Sequence, residues 1–93
     1  MIWSHPARRG LFEIAAYYNR IEPGLGLDLL ERIETSPLVL LEFPQMGSPT
    51  RRRGIRKWRV PRTPFALLYA SNADYVEVRR VLHESMDWDR SAL

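Results

Sequence analysis

The sequence predicts an α+β fold: an N-terminal antiparallel helical hairpin packed on an antiparallel sheet of three to four strands. Three observations carry this expectation. Apolar residues recur at helical spacing up to Leu41, and runs rich in aromatic and β-branched residues follow Met46. The breaks between these segments are short and contain Pro, Gly or Asn, so consecutive elements lie side by side. With 93 residues, the chain is read as one domain over residues 1–93.

Ala7, Leu11, Ile14, Tyr18 and Ile21 share one face of the first helix, with Ala15 beside them. Ser4 suits its N-cap and Pro6 its first turn, while Gly10 subtracts about 1 kcal/mol of propensity relative to Ala. Glu13, Asn19 and Arg20 are expected to face water. Pro23-Gly24 breaks the chain. Leu25, Leu29 and Ile33 then form a second stripe, widened by Leu27 and Leu30. Pro37 disfavours helical geometry at Ser36, so this helix is expected to kink there or restart with Pro37 in its first turn.

Residues 47–50 read as a loop. Ile55–Val60, Phe65–Ser71 and Tyr75–His83 read as strands, separated by turns at 61–64 and 72–74. Met1–Trp3 can supply a short edge strand. Strict alternation places Val76, Val78 and Leu82 against the helices, with Glu77, Arg79, Val81 and His83 on the other face. By the same rule Trp58 and Val60 join the core, and Lys57 and Arg59 stay on the open face. Arg56 and Arg80 fall on the apolar side, so each must sit at the rim, pair internally or mark a bulge.

Charge is the chain's most polarised property. Fourteen Lys and Arg stand against eleven Asp and Glu, yet no carboxylate occurs between Phe43 and Ala73. Seven cations lie in that stretch: Arg51, Arg52, Arg53, Arg56, Lys57, Arg59 and Arg62. One-signed crowding of this kind suits an anionic partner, such as a nucleic acid, a nucleoprotein machine or an acidic protein. The absence of cysteine excludes a disulfide framework and any Cys-containing metal site. No apolar run approaches the ~20 residues needed to cross a bilayer. The expectation is a cytoplasmic protein without membrane, metal or cofactor, since two distant histidines and scattered carboxylates give no ligand spacing.

The basic face of Arg51, Arg52, Arg53, Lys57, Arg59 and Arg79 is the candidate binding surface, because guanidinium forks grip phosphate or carboxylate bidentately. The alternative for Arg51–Arg53 is a solubilising loop. His83, at a strand end near Arg79 and Arg80, is the histidine best placed for acid–base work; a strand-end backbone hydrogen bond is the simpler role. Trp88, beyond the last strand, is either packing or a partner anchor.

From about Ala7 to Trp88 the chain resembles the RelE/ParE superfamily of bacterial type II toxins, within it the ParE branch. The resemblance rests on the Ala7, Leu11, Ile14, Tyr18 stripe, the Pro44-Gln45-Met46-Gly47 exit from the hairpin and Gly54-Ile55-Arg56 leading to Val60. Phe65, Leu67 and Tyr69 follow, and Val76–His83 with Asp87-Trp88 closes the pattern. Pro37 departs from the usual uninterrupted second helix. The resemblance implies a helical hairpin on a twisted antiparallel sheet, and a cognate antitoxin whose acidic, amphipathic segment covers the hairpin (Leu11, Tyr18, Leu25, Leu29) and the basic face. It implies contact with operator DNA only through that antitoxin. For the ParE branch it implies inhibition of DNA gyrase, with Asp87 and Trp88 in a target-binding C-terminal segment and no catalytic residues. For the RelE branch it implies a ribosome-dependent messenger ribonuclease, for which Arg56, Arg80 and His83 would be the catalytic set. A degenerate toxin that only binds its antitoxin is a third possibility. The absence of a carboxylate from the first two strands of the basic sheet and the lack of a tyrosine after His83 favour the gyrase inhibitor.

Overall fold

The computed structural model describes residues 1–84. In chain order it runs through strand β1 (Ile2–Trp3), helix α1 (His5–Ile21), helix α2 (Leu25–Thr35), a 3-10 turn (Ser36–Leu38) and helix α3 (Val39–Glu42). Strands β2 (Ser48–Pro49), β3 (Arg56–Arg59), β4 (Phe65–Ser71) and β5 (Val76–His83) follow. The sheet order is β1-β5-β4-β3-β2, with the two helices of the hairpin on one face. The sheet therefore has five strands rather than three to four, and it is mixed, because β1 runs parallel to β5. The extra strand is β2, which lies within the predicted 47–50 loop. Two residues, one of them proline, carry no strand periodicity, and only their antiparallel register with Lys57 and Arg56 makes them a strand.

Helix α1 starts as its sequence dictates. The Ser4 hydroxyl accepts from Ala7 N at 3.2 Å, and Pro6 occupies the first turn. The same hydroxyl donates to the Arg79 carbonyl at 2.8 Å while Ser4 N donates to Val78 O at 2.9 Å, which fixes the helix start to β5. Ala7, Leu11 and Ala15 are buried as expected, but Ile21 is 61% exposed at the end of the helix. Leu27 is likewise exposed rather than part of the α2 stripe, which buries Leu29 and Ile33. Asn19 does not simply face water: its Oδ1 accepts from Gly26 N at 2.8 Å, so α1 supplies the cap that Gly24 cannot give to α2. A Cβ on Gly26 would lie 2.1 Å from the Ala15 carbonyl, and only glycine permits that approach of the two helices. At Pro37 the chain tightens into the 3-10 turn and restarts as α3, with Pro37 itself buried. Upstream, the Thr35 hydroxyl donates back to Glu31 O at 2.8 Å, a bond that bends helix ends.

The main core lies between hairpin and sheet: Ala7, Leu11, Ile33, Val60, Phe65, Leu67 and Val78. Leu40, Tyr69 and Val76 extend it under α3. A third cluster, Ile55, Leu68 and Leu82, sits on the opposite face of the sheet. That last cluster is a correction, since alternation assigned Leu82 to the helix side. Its cause is a bulge. Leu68 pairs with Arg80 while Tyr69 pairs with Val78, leaving Arg79 as an extra residue on β5. Beyond it the parity inverts, so Val81 and His83 turn to the helices and Leu82 turns away. A Cβ on Gly10 of α1 would stand 3.6 Å from the Val81 Cβ, which shows which face Val81 takes. The bulged residue's carbonyl is the one that Ser4 satisfies.

Candidate functional site

The basic residues divide between two faces of the sheet. Cross-strand partners share a face, and Lys57, Leu68 and Arg80 form one row away from the helices, with Arg59, Ala66 and Leu82 in the next. Lys57 and Arg59 thus lie on the open face as predicted. Arg80 joins them there, because the bulge sets two consecutive side chains opposite Leu68. Of the alternatives for Arg80, the bulge is the one observed. This face is less one-signed than the sequence suggests. Arg79 Nε donates to Glu77 Oε1 at 2.9 Å, and Arg59 Nη2 forms a short ion pair with Glu84 Oε1. Both carboxylates come from the end of the chain that the acid-free stretch does not cover.

Arg56 goes to the other side, paired in register with Tyr69. Of its three alternatives the rim position is the one found: Nη1 donates to Gly47 O at 2.7 Å and Gln45 O at 3.4 Å. Tyr69 completes this node. Its hydroxyl accepts from Gly47 N at 2.9 Å and donates to Pro44 O at 2.7 Å, and its side chain is fully buried. Burial holds the Tyr69 phenol above its ordinary value of 10.0, although the Gly47 N–H bond and the Arg56 charge pull the other way. Gly47 must be glycine here, since a Cβ would fall 2.6 Å from the Tyr69 hydroxyl oxygen.

The β2–β3 loop carrying Arg51, Arg52 and Arg53 is tied at its base. Thr50 N donates to Ile55 O at 3.2 Å, the Thr50 hydroxyl donates to the same carbonyl at 2.8 Å, and Ile55 N donates to Arg52 O at 3.0 Å. Arg52, Arg53 and Arg56 then line a cleft of about 360 Å³ together with Gln45, Thr50, Tyr69 and Ser71. The loop arginines are therefore grouped with Arg56 in this cleft rather than with Lys57 and Arg59.

His83 is paired in register with Phe65, and the two rings meet edge to face at 5.6 Å between centroids. It borders a cleft under α1 with Gly10, Ile14, Tyr17 and Tyr18. The candidate set Arg56, Arg80 and His83 is consequently not assembled. Arg56 and His83 lie on the helix side at opposite ends of β4, four residues apart and thus about 13 Å along the strand, with Arg80 on the opposite face. Among the described residues, no group of three His, Cys, Asp or Glu could hold a metal ion, and no helix is long and apolar enough to cross a membrane.

On the hairpin, Leu11 and Leu29 are largely used by the core, Leu25 is half-buried, and Tyr18 packs edge to face on Phe65. The apolar surface the hairpin does present is Phe12, Tyr17, Ile21 and Leu27. Phe12, 71% exposed, flanks a groove between α1 and α2 that includes Trp3, Leu11 and Leu30, with Arg8 and Glu34 beside them. Spacing alone did not single out Phe12, because it lies one position off the buried stripe. Asp87 and Trp88 lie outside the described residues.

The chain is similar to known proteins. The profile of the family described as "ParE toxin of type II toxin-antitoxin system, parDE" matches residues 1–88. The chain is 31% identical over 86 residues to "Putative toxin Y4kP" of Sinorhizobium fredii (strain NBRC 101917 / NGR234), covering 92% of this chain and 88% of that one. It also superposes on a solved chain described as "Chromosomal ParDE TA system from P. aeruginosa". That match has a TM-score of 0.74 and 21% identity, over 87% of this chain and 90% of the other. At that identity the likeness speaks to the fold.

Proposed function

Because the chain belongs to the ParE toxin family of type II toxin–antitoxin systems, we propose that it is neutralised by a cognate antitoxin and arrests growth by inhibiting DNA gyrase rather than by cutting RNA. One observation carries the choice between the two activities. Arg56, Arg80 and His83 are dispersed over two faces and both ends of the sheet. Cleavage of a phosphodiester needs cations at the developing charge and a proton-transfer group within hydrogen-bond reach of the same 2′-hydroxyl. These three side chains cannot meet at one phosphate without rebuilding β5. An inhibitor has no such requirement and acts by surface complementarity.

The antitoxin half of the proposal draws on the solved relative described as a ParDE system and on the groove beside Phe12. An amphipathic segment would cover this apolar surface, and its acidic residues would meet Lys57, Arg80 and the loop arginines. Operator DNA is reached through the antitoxin, and the toxin works in the cytoplasm. The test is a pair of assays on the purified chain: gyrase supercoiling with detection of cleaved DNA complexes, and messenger cleavage in translating ribosomes. Inhibition in the first and none in the second is expected. Ribosome-dependent cleavage that His83→Ala abolishes without unfolding the protein would establish the ribonuclease instead.

A further inference from the structure

We propose that the chain, when free of its antitoxin, pairs with a second copy of itself, the Phe12 ring of each copy entering the groove between α1 and α2 of the other. Phe12 is the most exposed of the large apolar residues described, at 71%. A single exposed ring is ordinary on a protein surface, but this one stands on the wall of an apolar groove, and contiguous apolar surface of that kind marks a contact site. The groove, walled also by Trp3, Leu11 and Leu30, measures about 170 Å³. An apolar cavity of roughly 150 Å³ holds a benzene ring, so one phenyl group fits. Phe12 is itself part of the wall, so the ring that fills the groove comes from another molecule.

The groove is set before anything binds. Trp3 lies in β1, in register with Val78 of β5, and the next residue is tied there too, since Ser4 N donates to Val78 O at 2.9 Å. Trp3 and Leu30 both pack against the main core, so little ordering remains to be done on binding. Charge selects the occupant. Arg8 stands on the α1 wall and Glu34 on the α2 wall. In a two-fold pairing every contact occurs twice with the roles exchanged, so the insertion of Phe12 is reciprocal and Arg8 of each copy meets Glu34 of the other. A uniformly acidic occupant would gain from Arg8 and be opposed by Glu34; a second copy supplies both signs. An antitoxin segment on this groove would exclude the pair, but the pairing itself holds whether or not the antitoxin binds there.

The experiment is sedimentation velocity of the full chain over about 1–500 μM, a range that reads out a small interface with a dissociation constant of about 10–100 μM. A monomer–dimer equilibrium is expected. Phe12→Asp should weaken it about ten-fold or more, and the charge-matched Phe43→Asp, at a ring 53% exposed on the hairpin exit, less than about two-fold. Melting curves check that each variant folds. The charge register has its own test. Arg8→Glu and Glu34→Arg should each pair with itself at least about three-fold more weakly, and their equimolar mixture should recover the pairing, because across the two-fold each supplies the charge the other has lost. A chain that stays monomeric throughout, a dimer that Phe43→Asp breaks and Phe12→Asp does not, or a mixture no tighter than its components would overturn the proposal; the first of these leaves the groove to the antitoxin alone.

Discussion

Replacing Tyr69 by Phe tests the node that joins the hairpin exit to the sheet. The ring stays and only the hydroxyl is removed, so no cavity of consequence forms. What changes is hydrogen bonding: Gly47 N loses its acceptor at 2.9 Å and the Pro44 carbonyl loses its donor at 2.7 Å. A buried donor left without a partner costs about 1–3 kcal/mol. The Pro44 carbonyl is closer to solvent and recovers part of its loss from water, so the total for Tyr69→Phe is about 2–3 kcal/mol. For a domain of this size that lowers the melting temperature by roughly 10–20 °C, and it lowers the urea midpoint with an unchanged slope.

The same substitution carries a pH signature. Burial raises the Tyr69 pKa in the folded state above its ordinary 10.0. The stabilisation is therefore complete below the unfolded value and is lost as pH rises through the folded one, because the unfolded chain ionises first. The gap between wild type and Tyr69→Phe should be constant up to about pH 9.5 and narrow above pH 10. A loss below about 0.5 kcal/mol at neutral pH, or a gap that widens in alkali, would refute the node.

Two further substitutions probe packing. Gly26→Ala places a methyl 2.1 Å from the Ala15 carbonyl; it should cost about 3 kcal/mol or more, since the two helices must separate, and an unchanged urea midpoint would contradict the close approach. Leu82→Ala should cost about 2–3 kcal/mol through the Ile55–Leu68–Leu82 cluster, and a loss under about 0.5 kcal/mol would mean that the face away from the helices has no core of its own.

Most of the architecture was legible in local patterns. Ser4, Pro6 and the Ala7–Leu11 spacing specify α1, and the Pro37 break appears where proline geometry requires it. The turns at 61–64 and 72–74 order three strands correctly. The misses have common physical causes. A bulge has no periodic signal of its own, so the inversion at Arg79 that sent His83 to the helix side and Arg80 to the open face was invisible to alternation. Its one trace was two adjacent arginines that could not both obey the rule. Long-range pairing made β2 a strand and sent the Asn19 side chain to α2; both depend on neighbours far along the chain. The candidate site was legible as composition and not as geometry. The acid-free stretch located the cations, but only the register separated Lys57 and Arg59 from Arg56, and only the fold brought Glu84 to Arg59.

The proposed inhibition of gyrase without RNA cleavage can be read in a single assay. The most direct measurement is gyrase supercoiling of relaxed plasmid against rising concentrations of the purified chain, with and without its antitoxin. Dose-dependent loss of supercoiling, accumulation of cleaved DNA complexes, and full restoration when the antitoxin is added are expected. Undiminished supercoiling at a large excess of folded toxin would contradict it.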